Sequence, residues 1–226
     1  MIVSISQPTF FPWIGYYNII KNSNTFVFLD NVKFEKRSWQ MRNRIKNSSK
    51  VNNSQEWMFI PTSGITQDTL IKDALIDNYK NWKEKHIKTL QSNYPKTFQQ
   101  IKFLSEIYEM EWNKIVDFNI ESITKCCKYL KIKTKLIKAS DLLSRGKKGD
   151  LLLNICKELD ANEYLSTIGS KDYLEDYRTR FEDAKIKITY HDYTHPIYKQ
   201  KGHSFLPNLS VLDLILSELD NAYKFI

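Results

Sequence analysis

Arginines and aromatic residues are interleaved over one basic segment of the sequence, residues 33–46. The segment holds six cations and one acid, and its candidate binding residues are Phe34, Arg37, Trp39, Arg42, Asn43 and Arg44. A guanidinium group binds carboxylate or phosphate through two parallel hydrogen bonds, and a neighbouring ring can stack on a base or a sugar. The segment therefore predicts a site for an anionic, partly flat ligand. The alternative is a solvated basic face whose aromatic residues lie in the core.

A loop rich in proline and aromatic residues, Pro8 to Gly15, follows the first β-prone run, Ile2 to Ile5, and is called the first loop. Pro8 ends that strand because proline has no N–H for a sheet, and residues 16–21 indicate a helix. A helix N-terminus that follows a parallel strand offers free N–H groups to an anion. The loop is the leading candidate site, and its candidate binding residues are Gln7, Pro8, Phe11, Gly15 and Tyr16.

Asp30 and Asn31 follow a second apolar run, Thr25 to Leu29, which is typical of a strand buried on both faces. If this strand lies beside the first, both side chains reach the same crevice. Asp30 is then a candidate catalytic residue and Asn31 a candidate binding residue. The alternative is a simple turn, in which Asp and Asn are common.

A second wall of the site is predicted where residues 163–170 pass from a strand into a small polar loop before a helix. Hydroxyl and backbone N–H groups there can donate to a phosphate or carboxylate. The candidate binding residues are Ser166, Thr167, Gly169, Ser170 and Tyr173.

His203 is the best candidate general acid or base, because an unperturbed imidazole titrates near pH ~6.5. It lies in a loop rich in proline, glycine and aromatic residues that also holds His195, a candidate binding residue. Asp213 is a further candidate. Its distance of three residues from Ser210 also fits a capping box, so a helix cap is the alternative. For His203 the alternative is a structural or surface role.

Strands and helices alternate along the whole sequence, which predicts an α/β fold with a parallel-type sheet, flanking helices and a nucleotide-binding-like arrangement. Three amphipathic segments in a row predict a mainly helical subdomain at about residues 78–132. The length of 226 residues fits a single domain over residues 1–226 that contains this subdomain.

Composition bounds the possible functions. No run approaches the ~20 apolar residues that span a bilayer, and the first 20 residues lack the features of a signal peptide, so a cytoplasmic protein is expected. Cys126, Cys127 and Cys156 have no metal-site or disulfide spacing. We expect them to be buried in helices, with no metal or other cofactor. The net charge of +8 and a pI near 9.2 favour an acidic partner.

Several blocks of the sequence resemble the WbqC-like proteins, a bacterial family often associated with O-antigen and other surface-polysaccharide gene clusters. The similar blocks are Gln7-Pro8, Phe11-Pro12, Gly15-Tyr16, Phe28-Leu29-Asp30, Phe34, Arg37, Trp39, Arg42 to Ile45, Tyr164 to Ser166 with Gly169 and Tyr173, and His203 to Asp213. The resemblance spans nearly the whole chain and implies work on surface polysaccharide. The first loop also resembles cytidylyltransferase-like domains, but residues 12–16 lack the two histidines that bind phosphates in those enzymes.

These observations lead to a transferase hypothesis. The enzyme would place an acyl or aminoacyl group, such as glycyl, on the amine of a nucleotide-linked amino sugar, with an aminoacyl-tRNA as one possible donor. One alternative is a non-catalytic module that binds a nucleotide-sugar or nucleic acid. Another is a nucleotidyltransferase-like enzyme without the usual first-loop histidines.

Overall fold

The computed structural model describes residues 1–47, 54–202 and 204–226, over which strands alternate with helices. The strands are β1 (Ile2–Ser6), β2 (Thr25–Phe28), β3 (Arg42–Lys46), β4 (Gln55–Phe59), β5 (Thr62–Ser63), β6 (Leu75–Ile76), β7 (Lys135–Lys138), β8 (Glu163–Thr167) and β9 (Lys187–His191). The α-helices are α1 (Ile14–Lys21), α2 (Trp82–Asn93), α3 (Lys102–Glu109), α4 (Ile115–Tyr129), α5 (Lys148–Glu158), α6 (Lys171–Glu175), α7 (Arg178–Asp183) and α8 (Val211–Glu218). Short 3₁₀ helices cover Ile71–Asp73, Phe98–Gln100, Ala139–Asp141, Ile168–Ser170 and Leu219–Phe225.

Within the described residues, five strands form one sheet in the order β7-β2-β1-β8-β9, and every neighbouring pair is parallel. The predicted α/β fold with a parallel sheet is confirmed. The chain first adds β2 and β7 on one side of β1, and then adds β8 and β9 on the other. The strand order therefore reverses between β1 and β8. In open α/β sheets, ligands bind at the carboxyl ends of the strands beside such a reversal.

The central strands are buried because helices cover both faces of a parallel sheet. All four residues of β2, Thr25 to Phe28, are buried. The polar residue Ser4 is also buried in β1, where its hydroxyl donates to the Leu165 carbonyl at 2.8 Å and accepts from Ser23 at 2.6 Å. Its hydrogen bonds explain why a serine is tolerated at the sheet centre.

Strands β3 and β4 form a separate antiparallel pair that packs beside the sheet. Asn43 and Ile45 of β3 point to the buried side, as does Met58 of β4. The alternating residues lie on the opposite face, where Arg42 pairs with Phe59 and Arg44 pairs with Trp57. The arginine-rich segment of the sequence thus ends as one strand of a two-stranded sheet.

Helices α2, α3 and α4 fall within the segment predicted to be helical. Their apolar residues belong to the same buried cluster as the first loop and the central sheet. Phe118 of α4, for example, lies 5.9 Å from the ring of Phe10 and 5.7 Å from that of Phe11. The helices therefore form part of the packing that holds the first loop.

Across the described residues, no helix combines the length and the apolar character that a membrane crossing requires.

Candidate functional site

An open cleft of about 410 Å³ lies at the carboxyl end of β1. Side chains from the first loop, α1, the segment before β3, β3 and the loop before α8 line it together with the last residue of β1. The lining residues are Ser6, Thr9, Pro12, Trp13, Tyr16, Trp39, Asn43, Arg44 and Asn208. Of these, Tyr16, Trp39, Asn43 and Arg44 are binding residues predicted from the sequence. The strand-loop-helix unit chosen from the sequence is thus one side of a real cleft.

The first loop is fixed to its neighbours by hydrogen bonds. The Phe11 carbonyl accepts from Asn43 Nδ2 and from Ser210 Oγ, both at 2.8 Å. The Val211 N–H, at the start of α8, donates to the Pro12 carbonyl at 2.9 Å. Asn43 therefore lines the cleft and also fixes the first loop to β3, because its side-chain amide donates to the Phe11 carbonyl.

Trp13 and Tyr16 form the aromatic side of the cleft. The indole of Trp13 lies directly over Gly15, where a β-carbon would come within 2.3 Å of the ring. The Tyr16 hydroxyl donates to the Gln7 carbonyl at 3.0 Å, and burial raises the pKa of this phenol well above its usual range. Tyr16 is therefore a neutral hydrogen-bonding group, and Gly15 serves the site by making room for Trp13.

Arg44 and Trp39 also line the cleft, and both contact Trp57, which lies outside the cleft lining and was not predicted from the sequence. The Arg44 guanidinium lies 5.9 Å from the Trp39 ring and 5.8 Å from the Trp57 ring, distances at which cations and rings attract. The two indoles stack at 5.8 Å. Arg44 Nε is shielded from water and has no hydrogen-bond partner among the described residues. An unsatisfied guanidinium N–H at a cleft is suited to an anionic ligand.

Arg42 contacts the same aromatic group from further along β3, with its guanidinium 4.8 Å from the Trp57 ring. It does not line the cleft. Arg37 is exposed in the loop before β3 and has a left-handed backbone, with φ of 62°. The three predicted arginines therefore separate into Arg44 in the cleft, Arg42 beside it and Arg37 outside it.

His195 lies behind the cleft. The Asn208 N–H donates to His195 Nε2 at 3.1 Å, so the ring proton is on Nδ1, which faces the Pro196 carbonyl at 2.8 Å. Burial lowers the pKa of His195, which favours the neutral ring. The ring is also stacked with that of Trp13. With both nitrogens engaged, His195 positions the cleft residues Asn208 and Trp13.

Asp213 lies fully buried in α8 at the centre of a hydrogen-bond network. Its carboxylate accepts from the hydroxyls of Tyr94 at 2.5 Å and Tyr198 at 2.7 Å, and from Gln200 Nε2 at 2.8 Å. Burial nevertheless raises the pKa of Asp213. Ser210 does cap α8, because its hydroxyl accepts from the Leu212 N–H at 3.3 Å. Asp213 does not complete a capping box, because the Ser210 N–H donates to the Arg44 carbonyl. Asp213 does not line the cleft. It fastens the segment that leads to Asn208.

Asp30 and Asn31 differ most from the sequence-based expectation, because they lie outside the cleft lining. Both carboxylate oxygens of Asp30 accept from Ser140, one from its N–H at 2.8 Å and one from its hydroxyl at 2.6 Å. The Asn31 Oδ1 atom is buried with no partner in the described part of the chain. The physical reason is the strand order. β2 lies between β1 and β7, so the residues that follow β2 lie next to Ser140, which follows β7.

The predicted second wall lies at the carboxyl end of β8 and thus on the other side of the strand-order reversal. Ser166 is buried against Tyr164, and the hydroxyls of Thr167 and Ser170 are 3.0 Å apart. The space around Gly169 is open. Tyr173 is partly exposed and contacts the Tyr177 ring at 5.6 Å. None of these residues lines the described cleft, so their binding role stays a prediction.

Four other predicted binding residues lie in the core or support the first loop. Phe11 and Phe34 are buried in the main core, where they cannot face a ligand. Pro8 is buried, and its carbonyl accepts from Asn119 Nδ2 at 3.2 Å. Gln7 is partly buried, and its side-chain oxygen accepts from the buried Gln40 amide at 2.9 Å. Gln7 therefore links the end of β1 to the segment before β3 through this hydrogen bond.

His203 lies outside the described residues. Its predicted role in proton transfer therefore stays a prediction. The cysteines are buried in α4 and α5 as expected, and burial raises the pKa of Cys127 and Cys156 to about 12. Over the ranges that the structure covers, no three His, Cys, Asp or Glu side chains come together as a metal site would require.

The residues that sequence reasoning missed are mostly small or belong to loops: Ser6, Thr9, Pro12, Trp13, Asn208 and Trp57. Two had a usable signal. Trp13 comes two residues before a glycine, a spacing at which a large ring can lie over the bare backbone. Trp57 alternates with Phe59 in a β-prone run, so both rings had to share one face.

Comparison with known proteins places the chain in a family. The chain is 30% identical over 221 residues to the uncharacterized protein Rv1507c of Mycobacterium tuberculosis, an alignment that covers 95% of this chain and 93% of that protein. No solved structure gives a significant match. Residues 7–224 match the WbqC-like protein family. The match therefore includes every residue of the cleft except Ser6, and the chain belongs to the WbqC-like protein family.

Proposed function

We propose that the chain binds a nucleotide-linked amino sugar in the cleft at the end of β1 and transfers an acyl or aminoacyl group, such as glycyl, to the sugar amine. The association of WbqC-like proteins with surface-polysaccharide gene clusters supports a sugar nucleotide as the substrate. Bacterial O-antigen synthesis is then the process that the product serves.

The observation that carries this proposal is the pairing of Arg44 with Trp39 at the mouth of a cleft beside the strand-order reversal. Arg44 has a desolvated N–H without a partner, which suits a diphosphate oxygen. Trp39 and Trp13 are about half and one-third exposed, so flat faces remain available to a base or sugar. The volume of about 410 Å³ lies in the range of small-molecule sites.

The remaining polar groups of the cleft suit the sugar. Ser6 and Thr9 provide hydroxyls near the end of β1, and Asn208 provides an amide. These groups can donate to and accept from sugar hydroxyls without adding charge. We therefore assign the sugar to the Ser6 side and the nucleotide to the Arg44 side.

The proposed reaction is acyl transfer to nitrogen. The neutral sugar amine attacks the carbonyl carbon of an acyl ester or thioester, a C–N bond forms, and the C–O or C–S bond breaks. The amine loses one proton and the leaving oxygen or sulfur gains one. His203 is proposed as the group that accepts the amine proton, because a histidine titrates in the required pH range.

Intact-mass analysis of the sugar nucleotide tests the proposal. The full chain is incubated with dTDP- and UDP-linked amino sugars and with acyl and aminoacyl donors, including a glycyl-tRNA. A gain equal to the acyl group on the sugar, absent when an unaminated sugar nucleotide is used, supports the transferase. Tight binding with no mass change in any donor combination would instead indicate a binding module, and release of pyrophosphate from a nucleoside triphosphate would indicate nucleotidyl transfer.

A further inference from the structure

The outward face of the β3–β4 pair exposes large rings next to cations. We call the residues Trp39, Arg42, Arg44, Trp57 and Phe59 the hairpin face. Trp39 is 50% exposed, Trp57 45% and Phe59 54%, although side chains of this size are usually mostly buried. Grouped exposed rings of this kind mark an interaction surface more often than chance exposure.

The pairing register arranges these residues as alternating rings and charges. Trp57 and Phe59 are two residues apart on β4, so their rings leave the same face roughly 6.5–7 Å apart. Directly across on β3 lie Arg44, opposite Trp57, and Arg42, opposite Phe59. Neither arginine forms an ion pair within the described residues. Trp57 and Phe59 each therefore lie opposite an arginine that forms no ion pair in the described part of the chain.

A second cleft of about 410 Å³ continues the hairpin face toward α2. Trp57 and Phe59 line it on one side, and Lys80, Lys85 and Lys88 line it on the other. Lys88 contacts Glu84 in an exposed pair, which contributes little energy, and the exposed Lys80 contacts Asp77, whose side chain is 18% exposed. Lys85 is exposed and has no ion pair in the described ranges. The positive charge thus extends beyond the strands.

We propose that the hairpin face and this second cleft bind a single-stranded polynucleotide. Its bases would stack on Trp57 and Phe59, and its phosphates would contact Arg42 and Lys85. Rings on a sheet surface that stack on successive bases, flanked by cations that follow the backbone, are the recognised means of holding unpaired strands. The abundance of lysine argues against a protein partner, because lysine is depleted at protein interfaces.

The inference does not depend on the proposed nucleotide-sugar site, although Arg44 and Trp39 belong to both surfaces. Phe59 and Lys85 do not line the first cleft. Substituting them tests polynucleotide binding without altering the nucleotide-sugar site, so the two proposals can fail separately.

Fluorescence anisotropy of the full chain with a labelled single-stranded RNA of about 12 nucleotides tests the proposal. The variants are Phe59→Ala and Lys85→Ala, and Trp57→Phe retains a ring at its position. The controls are Leu143→Ala and Lys187→Ala, which remove an exposed apolar and an exposed charged side chain elsewhere. Circular dichroism checks that every variant is folded.

We expect Phe59→Ala and Lys85→Ala each to weaken binding at least fivefold, and Trp57→Phe and both controls to stay within twofold. The slope of log affinity against log salt between about 50 and 200 mM should fall by about 0.7 for Lys85→Ala, the loss of one phosphate contact. Equal affinity for a duplex of the same sequence, an unchanged affinity of Phe59→Ala, or no binding at low salt would each overturn the proposal.

Discussion

The six-membered ring of Trp13 covers Gly15 so closely that a β-carbon on residue 15 would lie 2.3 Å from Cη2 of the indole. No rotation of a methyl group relieves such an overlap, so any other residue at position 15 must displace the ring. The shape of the cleft therefore depends on a glycine within the first turn of α1.

Gly15→Ala should reshape the cleft while leaving the helix in place. Alanine favours a helix over glycine by up to about 1 kcal/mol, whereas overpacking costs about 1–3 kcal/mol, so overall stability should change little. Displacement of Trp13 should weaken nucleotide-sugar binding by about tenfold or more, measured by calorimetry. Lys157→Ala on α5 is the control, because this exposed side chain lies outside the cleft lining. Equal affinity of the two variants would show that Trp13 is not part of the site.

The buried His86 side chain should make the folded protein less stable in mild acid. Burial lowers its pKa to about 4 in the folded chain, against an ordinary value of about 6.5. Its Nε2 lies 3.0 Å from the Phe59 carbonyl, which the neutral ring can satisfy. Because the unfolded chain binds the proton first, stability is full above about pH 6.5 and falls as the pH drops toward 4.

The variant His86→Gln should isolate this contribution. Between pH 7.5 and pH 4.5 its free energy of unfolding should fall by about 2–3 kcal/mol less than that of the unmodified chain. Urea unfolding followed by tryptophan fluorescence at the two pH values provides the comparison. Parallel losses in both proteins would mean that His86 is not the group that titrates.

Asp213 should be a stability residue with an indirect effect on the cleft. Asp213→Asn replaces one acceptor oxygen with a donor that faces either the Tyr94 hydroxyl and the Lys46 N–H or the Tyr198 hydroxyl and the Gln200 amide, which should cost about 2–3 kcal/mol. For a chain of this length the melting temperature should fall by about 4–12 °C. Asp220→Asn is the control, since Asp220 is exposed and accepts only a 3.4 Å contact from Tyr129. If both variants melt alike, the buried network contributes nothing measurable.

His203 should affect turnover more than binding if it accepts the amine proton. His203→Ala should lower turnover by ~10²–10⁴-fold while nucleotide-sugar affinity stays within a few-fold. His195→Ala offers the contrast, because His195 positions Asn208 and Trp13 and its loss should weaken binding as well. Near-normal turnover of His203→Ala would assign the proton transfer to another group or to the substrate.

The elements of the sheet were predictable because they depend on local pattern. The run from Thr25 is buried on both faces of the sheet, as its apolar residues indicate. The first loop was predictable too, since Pro8 must end a strand and Gly15 lies where a helix begins.

The site itself depends on contacts between distant segments, which no local pattern records. Asp30 follows a strand as expected, yet the position of β2 on the far side of β1 turns it toward Ser140. Asp213 has the spacing of a cap, yet Tyr94 and Tyr198 enclose its carboxylate. Trp57 joins Arg44 only because β3 and β4 pair in one particular register.

The affinity of the Arg44→Ala variant for a nucleotide-sugar tests the central claim most directly. Arg44 lines the cleft, whereas Arg178 on α7 is an exposed arginine paired with Glu175, so Arg178→Ala removes the same charge elsewhere. Calorimetry with dTDP- and UDP-linked amino sugars should give a dissociation constant about 10- to 100-fold higher for Arg44→Ala, the loss of one charge-assisted hydrogen bond, and an unchanged value for Arg178→Ala. Folded Arg44→Ala protein that binds as tightly as the unmodified chain would contradict the account.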